Sequence, residues 1–179
     1  NSKVYSIVSE AYSILTSADK RNSLINELKE KEAKAQIKGE ELMEKAVALL
    51  EKSQFSEALE ELVEAQKMFS SKALDLNIIW AEIKLDPMKA KENIGKYKNL
   101  LEDFDAEDRK NALYHFVSGL IYSLDRKLDE AERFFNRSLE FDKSFLNSRR
   151  ELAQLRSRER GKKKGSDFLT GDVTSIISG

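Results

Sequence analysis

The side chains that most often carry catalysis or bind metals are scarce in this sequence of 179 residues. It contains one histidine, His115, and no cysteine, which excludes disulfides and cysteine-ligated metals. His115 lies in an apolar stretch between Tyr114 and Phe116, and the sequence indicates no nucleophile or acid to pair with it. We therefore predict that the chain is not an enzyme and binds no cofactor.

Carboxylates are the remaining candidates for a metal site. They cluster at residues 40–44 and 102–108, in both cases among lysines and arginines, as a solvated helix face does. The second cluster alternates acids as a calcium loop does, but it lacks the glycine and the terminal glutamate of that loop. The glycine–lysine segment at 161–165 lacks the spacing of a phosphate-binding loop. We predict no metal site and no phosphate site.

Eight basic residues concentrate between Arg149 and Lys164, against two glutamates. This pattern permits contact with nucleic acid or anionic lipid, but no aromatic side chains are interleaved for base stacking. The net charge of −1 also predicts no general attraction to either polyanion. We regard nucleic-acid or lipid binding as the weaker alternative to a helix end followed by a linker.

The composition indicates the elements that hold these residues. One proline and seven glycines are too few for the many tight turns of a β or α/β fold. Charged residues make up 35% and apolar residues 40%, which suits helices with one buried stripe. No apolar run approaches the roughly 20 residues that span a bilayer, and no secretory signal is recognisable. We predict an all-α, cytoplasmic protein, and the initial Asn1 suggests a piece of a longer chain.

Apolar residues at helical spacing predict three pairs of short antiparallel helices. Asp86-Pro87 separates the two helices of the middle pair, since proline suits a first helical turn. A last helix begins near Ser144. The predicted stripes cover residues 42–50 and 55–68, then 74–85 and 90–101, then 113–122 and 128–139.

The first and third pairs share an internal repeat. Ala58 is followed by Leu62 and Ala65, and Ala131 by Phe135 and Ser138, at the same spacing. This pattern resembles the second helix of a tetratricopeptide repeat, and the small residues before Tyr122 resemble its first helix. The two alanines are 73 positions apart against about 68 for two such repeats, so the middle pair is irregular. A generic helical bundle is the alternative.

The resemblance implies a right-handed superhelix of antiparallel helix pairs, an α-solenoid with extra N-terminal helices and a C-terminal capping helix. A protein of this kind acts as an adaptor or scaffold that binds another protein. We place the boundaries as follows: N-terminal helices 1–30, a helical connector 31–38, repeats 39–70, 71–105 and 108–142, a cap 144–160 and a flexible tail 161–179.

A second resemblance involves residues 8–21. Ala11-Tyr12 and Leu15, followed by Ser17 to Arg21, are similar to the end of a J-domain, where Ala-Tyr-x-x-Leu precedes Ser-Asp-x-x-Lys-Arg. It implies the partner-binding part of a J-domain co-chaperone. The activity of that family needs a His-Pro-Asp tripeptide, which is absent from these 179 residues. The alternative is an amphipathic helix that matches by chance.

The first helices of such pairs line a concave groove in the tetratricopeptide family. The residues at those places are mostly apolar, which predicts an apolar helix or extended segment as ligand, not a free carboxylate. The chain's own or a neighbour's C-terminal tail is another candidate occupant. The predicted groove residues are Met43, Val47, Leu50, Asp75, Ile79, Glu82, Phe116, Leu120 and Ser123.

Overall fold

A computed structural model describes the backbone of residues 2–170 and the side chains of residues 3–158. Within that range the chain forms α-helices and no strand, which confirms the all-α prediction. The helices are α1 (Ser2–Thr16), α2 (Ala18–Glu51), α3 (Phe55–Gln66), α4 (Lys72–Leu85), α5 (Pro87–Glu92), α6 (Ile94–Glu102), α7 (Ala112–Leu124), α8 (Leu128–Phe141) and α9 (Leu146–Thr170).

The helices pack mainly on their neighbours in sequence. The end of α2 pairs with α3, α7 pairs with α8, and α4 joins the two pairs by packing on α3 and α7. Helix α9 covers α8. Such a chain of neighbouring contacts is typical of a helical-repeat protein, in which each pair buries the apolar face of the next.

The turns inside the first and third pairs have the same backbone structure. Ser53 and Arg126 both adopt φ 62°, each five residues before the repeat alanine. The next amide donates to a carbonyl five residues back in both cases, Gln54 to Leu49 at 2.9 Å and Lys127 to Tyr122 at 3.0 Å. Such bonds close a helix C-terminus with one left-handed residue. The first and third pairs, which share the sequence repeat, therefore also share the same turn hydrogen bond.

The middle pair has a different turn. Asp86 ends α4 and also caps α5, because its Oδ1 accepts from the amides of Met88 at 3.1 Å and Lys89 at 3.0 Å. One residue thus replaces the three-residue turns of the other pairs. The helix that follows, predicted as continuous, is interrupted at Asn93 and divides into α5 and α6.

Aromatic side chains join α4, α7 and α8 in the core. The rings of Trp80 and Phe116 pack edge to face with centroids 4.9 Å apart, and Phe135 lies 6.0 Å from Phe116. Gly119 permits this packing, since a β-carbon there would lie 2.5 Å from the Phe135 ring. The repeat glycine is thus required by close approach of α8 to α7.

Two buried serines attach α9 to the third pair. The Ser148 hydroxyl donates to Ser138 at 2.8 Å, and the Ser138 hydroxyl donates to the Ala112 carbonyl at 2.9 Å. The helix continues to Thr170, ten residues beyond the predicted cap, because no proline stops it and a helical glycine costs only about 1 kcal/mol. Residues 171–179 of the predicted tail lie outside the described part.

At the N-terminus, α1 and α2 meet at a corner. Ser17 caps α2 by accepting from the Lys20 amide at 3.5 Å, and the Lys20 ammonium donates to Ser13 at 2.7 Å. The predicted connector at 31–38 forms the middle of α2, which runs unbroken into the first pair. None of the helices in the described range is long and apolar enough to cross a membrane.

Candidate protein-binding surfaces

A narrow cleft of about 200 Å³ lies between the first helices of the pairs and α9. Leu50, Trp80 and Phe116 form its apolar part, and Lys84 lies at its edge. We call this site the inner cleft. Its remaining lining residues are Ser53, Phe55, Asn147, Arg150, Glu151 and Gln154.

Helix α9 closes one side of the inner cleft. Lys84 of α4 forms an ion pair with Glu151 of α9, and both side chains are largely shielded from solvent. Arg150 lies in the same wall and makes no ion pair within the described part of the chain. An entering segment therefore meets an apolar floor and one available guanidinium.

Four of the nine predicted groove residues are core residues. Ile79 and Leu120 are each 3% exposed, Leu50 is 1% exposed, and Phe116 is fully buried. Of these, Leu50 and Phe116 line the inner cleft. Helix α9 walls the cleft on this side, and the Phe145 ring lies 5.2 Å from Phe116; the sequence pattern alone could not show this covering.

Met43, Val47 and Ser123 are half-buried. Met43 and Val47 lie on the face of α2 that carries Leu50, and Ser123 lies on the face of α7 that carries Phe116, by helical spacing. These three residues border the same side of the molecule as the inner cleft but do not line it.

Asp75 and Glu82, also predicted to line the groove, are not among the residues that line the inner cleft. Glu82 accepts a hydrogen bond from the Tyr97 hydroxyl of α6 at 2.8 Å, so it faces away from the inner cleft. Burial raises the pKa of Asp75, and a hydrogen bond from Gln66 of α3 opposes that shift. Trp80 and Lys84 occupy the cleft side of α4 instead. Since α4 is apolar nearly all round, its periodicity does not reveal which side faces the cleft.

A second depression, absent from the sequence analysis, lies between α3 and the middle pair. It consists of two cavities of about 350 and 410 Å³ that share Leu59 and Leu85 in their linings. We call it the outer groove. Its lining residues are Ser56, Leu59, Glu60, Val63, Glu64, Glu82, Leu85, Asp86, Lys89, Ala90, Asn93 and Tyr97.

A third apolar surface belongs to α1. Most of its large side chains are uncovered: Ile14 is half-buried, whereas Tyr12 and Leu15 remain 71% and 64% exposed. An isolated helix of about 15 residues is marginal in water. A protein surface packed against α1 would stabilise it. The other exposed apolar side chains of α1 are Val4, Tyr5, Ile7 and Val8.

The described residues offer little for catalysis. No group of three His, Asp or Glu side chains in that part of the chain could hold a metal ion. The His115 ring stacks on Phe141 with centroids 5.1 Å apart, and its Nδ1 has no hydrogen-bond partner. Burial lowers the pKa of His115, and the nearby Arg137 adds to that effect. The half-buried ring packs among aromatic side chains.

The basic C-terminal segment is partly engaged within the chain. Arg156 contacts Glu132 at 3.1 Å, and Arg149 donates to the Lys143 carbonyl. Side chains beyond Arg158, which include four of the eight basic residues of the predicted run, lie outside the described part. Arg156 thus helps to fix α9 on α8.

No protein-family model matches this chain, and no curated protein matches its sequence. The J-domain resemblance of residues 8–21 therefore stays a prediction. Solved structures similar to this chain include the first tetratricopeptide domain of Spaghetti (RPAP3) bound to the HSP90 peptide SRMEEVD, and the first tetratricopeptide domain of human RPAP3 determined by NMR.

Both structures are 18% identical to this chain and superimpose with a TM-score of 0.46. They match 70% and 71% of this chain and 95% and 96% of their own. The likeness is too distant to transfer a ligand.

Proposed function

We propose that the chain is a protein–protein interaction adaptor that receives a partner segment in the inner cleft. The observation that carries this proposal is a cleft whose apolar floor, formed by the largely buried Leu50, Trp80 and Phe116, lies between helices fixed by a continuous core. Rigid helical repeats with such recesses bind extended or helical segments of other proteins.

The dimensions favour an extended segment over a helix. A helix with side chains is about 10–12 Å wide, whereas the inner cleft holds about 200 Å³ and is walled by α9. It accommodates one or two apolar side chains. Arg150 can then donate to a backbone carbonyl of the bound segment, and the half-buried Asn147 offers further hydrogen bonds.

Trp80 provides the test, because it is the only tryptophan of the chain and lines the inner cleft. Tryptophan-free peptides selected by display on the full chain are titrated while Trp80 emission is recorded. We expect a change of emission on binding. Only 3% of Trp80 is exposed, so the change should come from altered polarity and packing at the ring edge that borders the cleft.

Gln154→Tyr fills the mouth of the cleft and should weaken binding about tenfold or more, which is 1.4 kcal/mol. Ala153→Tyr is the matched control, because Ala153 is an exposed neighbour on α9 that does not line the cleft. Peptides that bind without changing Trp80 emission, and equally to both variants, would contradict the proposal. Charged substitutions of Phe116 or Leu120 are unsuitable, because both side chains are buried and the chain would unfold.

A J-domain co-chaperone is the second candidate, and the uncovered apolar face of α1 favours it. The resemblance places Tyr12 and Leu15 in the core of a small domain, and both are exposed here and ready to pack on further residues. The gene sequence ahead of Asn1 tests this candidate. A His-Pro-Asp tripeptide in that segment supports it, and a segment without the tripeptide removes it.

A further inference from the structure

The outer groove results from the irregular middle pair. Helix α3 packs on α2 and α4, and α5 packs on α4 and α6. The one-residue turn at Asp86 and the interruption at Asn93 fix where α5 and α6 begin, and the outer groove lies between these helices and α3. The space left between them exposes Leu59, Val63 and Leu85 along one continuous depression.

The apolar lining of the outer groove suits a helix. Val63 and Leu85 are 44% and 47% exposed, and Leu59 and Val63 lie one turn apart on α3, which gives an apolar ridge parallel to that helix. The two cavities, of about 350 and 410 Å³, form two recesses along this ridge. Helix-in-groove recognition uses such recesses for apolar anchors three or four residues apart.

The charge of the lining is strongly one-sided. Four carboxylates line the outer groove, those of Glu60, Glu64, Glu82 and Asp86, against the single ammonium of Lys89. Glu64 is paired with Lys67 at 2.5 Å, whereas Glu60 makes no ion pair in the described part of the chain. A groove lined by one sign of charge attracts a ligand of the opposite sign.

We propose that the outer groove binds an amphipathic helix of a partner protein, with two apolar anchors one turn apart and lysine or arginine flanking them. The anchors enter the two cavities beside Leu59 and Leu85. The basic side chains lie over the carboxylates at the rim. This site is separate from the inner cleft, so the two surfaces allow one chain to hold two partners.

A pair of designed peptides tests the proposal on the full chain. One is a helix-stabilised peptide with leucines at positions i and i+4 and lysines on its other faces, and the second has glutamate in place of each lysine. Fluorescence anisotropy measures the affinity of each at low and high salt. We expect the lysine peptide to bind, its affinity to fall with salt, and the glutamate peptide to bind at least about tenfold more weakly.

Substitutions in the groove separate specific docking from general attraction. Val63→Asp and Leu85→Asp each add a negative charge, so general attraction of a basic peptide should increase. If the anchors are buried against these residues, each substitution instead weakens binding about tenfold, because an apolar contact is lost. Ile37→Asp is the matched control, since Ile37 is an exposed apolar residue of α2 outside the groove, and it should leave the affinity unchanged.

Three outcomes would overturn the proposal: stronger or unchanged binding to both groove variants, equal binding of the two peptides, or weakening by Ile37→Asp as large as that by Val63→Asp. Helicity by circular dichroism confirms that each variant is folded; Val63 and Leu85 are surface residues, so folding should persist. Gln154→Tyr, which blocks the inner cleft, should not change the affinity of the lysine peptide. The proposals for the two sites are therefore tested independently.

Discussion

Gly119 shows how one missing side chain allows the third pair to form. A β-carbon at this position would lie 2.5 and 2.6 Å from two atoms of the Phe135 ring, and that ring is fully buried. The first pair has Ala46 and Leu62 at the corresponding positions, where a smaller side chain leaves room for a methyl group. At these two facing positions, a larger residue on the second helix is therefore accompanied by a smaller one on the first helix.

Gly119→Ala should lower the free energy of unfolding by about 1–3 kcal/mol, as overpacking of a core does. Gly95→Ala is the control, because no atom lies within 4 Å of a β-carbon there. Alanine loses less conformational entropy than glycine on folding, so the free energy of unfolding should rise by about 0.5–1 kcal/mol at that exposed site. Urea unfolding followed by circular dichroism measures both, and a stabilised Gly119→Ala would contradict the close packing.

His115 should make stability depend on pH. Burial lowers its pKa below the ordinary value of 6.5, Arg137 adds to this, and Glu140 and the carbonyl of Arg109 oppose it. The unfolded chain therefore takes up the proton first, and the stabilisation present above the ordinary pKa is lost as pH falls towards the folded pKa.

Urea unfolding between about pH 7.5 and 5.5 tests this. His115→Phe should show a smaller loss of stability over that range than the original chain, because phenylalanine keeps the stacking on Phe141 without a proton to bind. Equal losses in both proteins would show that other groups cause the pH dependence.

At the scale of the element, α9 is held by a hydrogen-bonded relay of two buried serines. Ser148→Ala removes one donor to Ser138 and should cost about 1 kcal/mol. Ser138→Ala removes both hydrogen bonds of the relay and leaves the buried Ser148 hydroxyl unpaired, so it should cost more, about 1–3 kcal/mol. Ser157→Ala, at an exposed position of α9, should stay within about 0.5 kcal/mol. Equal effects of the first two substitutions in urea unfolding would contradict the relay.

The sequence predicts best the elements in which apolar and polar sides differ. Helices α3 and α8 were located because Ala58 and Ala131 lie in clear stripes. Helix α4 was located too. Its buried residues point to nearly all sides of the helix, so the side that faces the cleft could be identified only from its packing. These residues are Leu74, Leu76, Ile79, Trp80 and Ile83. The outer groove could not be predicted, since it depends on the position of α5 relative to α3 and no local pattern specifies that distance.

At the scale of the whole molecule, stability should fall from the third pair towards the N-terminus. The side chains of Phe116, Val117, Ile121 and Phe135 are fully buried between α7 and α8. By contrast, every side chain described from Ala18 to Lys34 is exposed, although these residues share one continuous helix with the buried Leu50.

Native-state hydrogen exchange should reveal this gradient, because local opening costs least where few apolar contacts are lost. We expect the slowest exchange in α7 and α8, intermediate rates at Ala46 to Leu50, and fast exchange in α1 and the first half of α2. The boundary should fall near Gly39, where α2 begins to pack against Phe69 of the first pair. Equally slow amide exchange along the whole of α2 would contradict this gradient of stability. Protection of α1 that appears only when a partner is added would identify that partner as the cover of its apolar face.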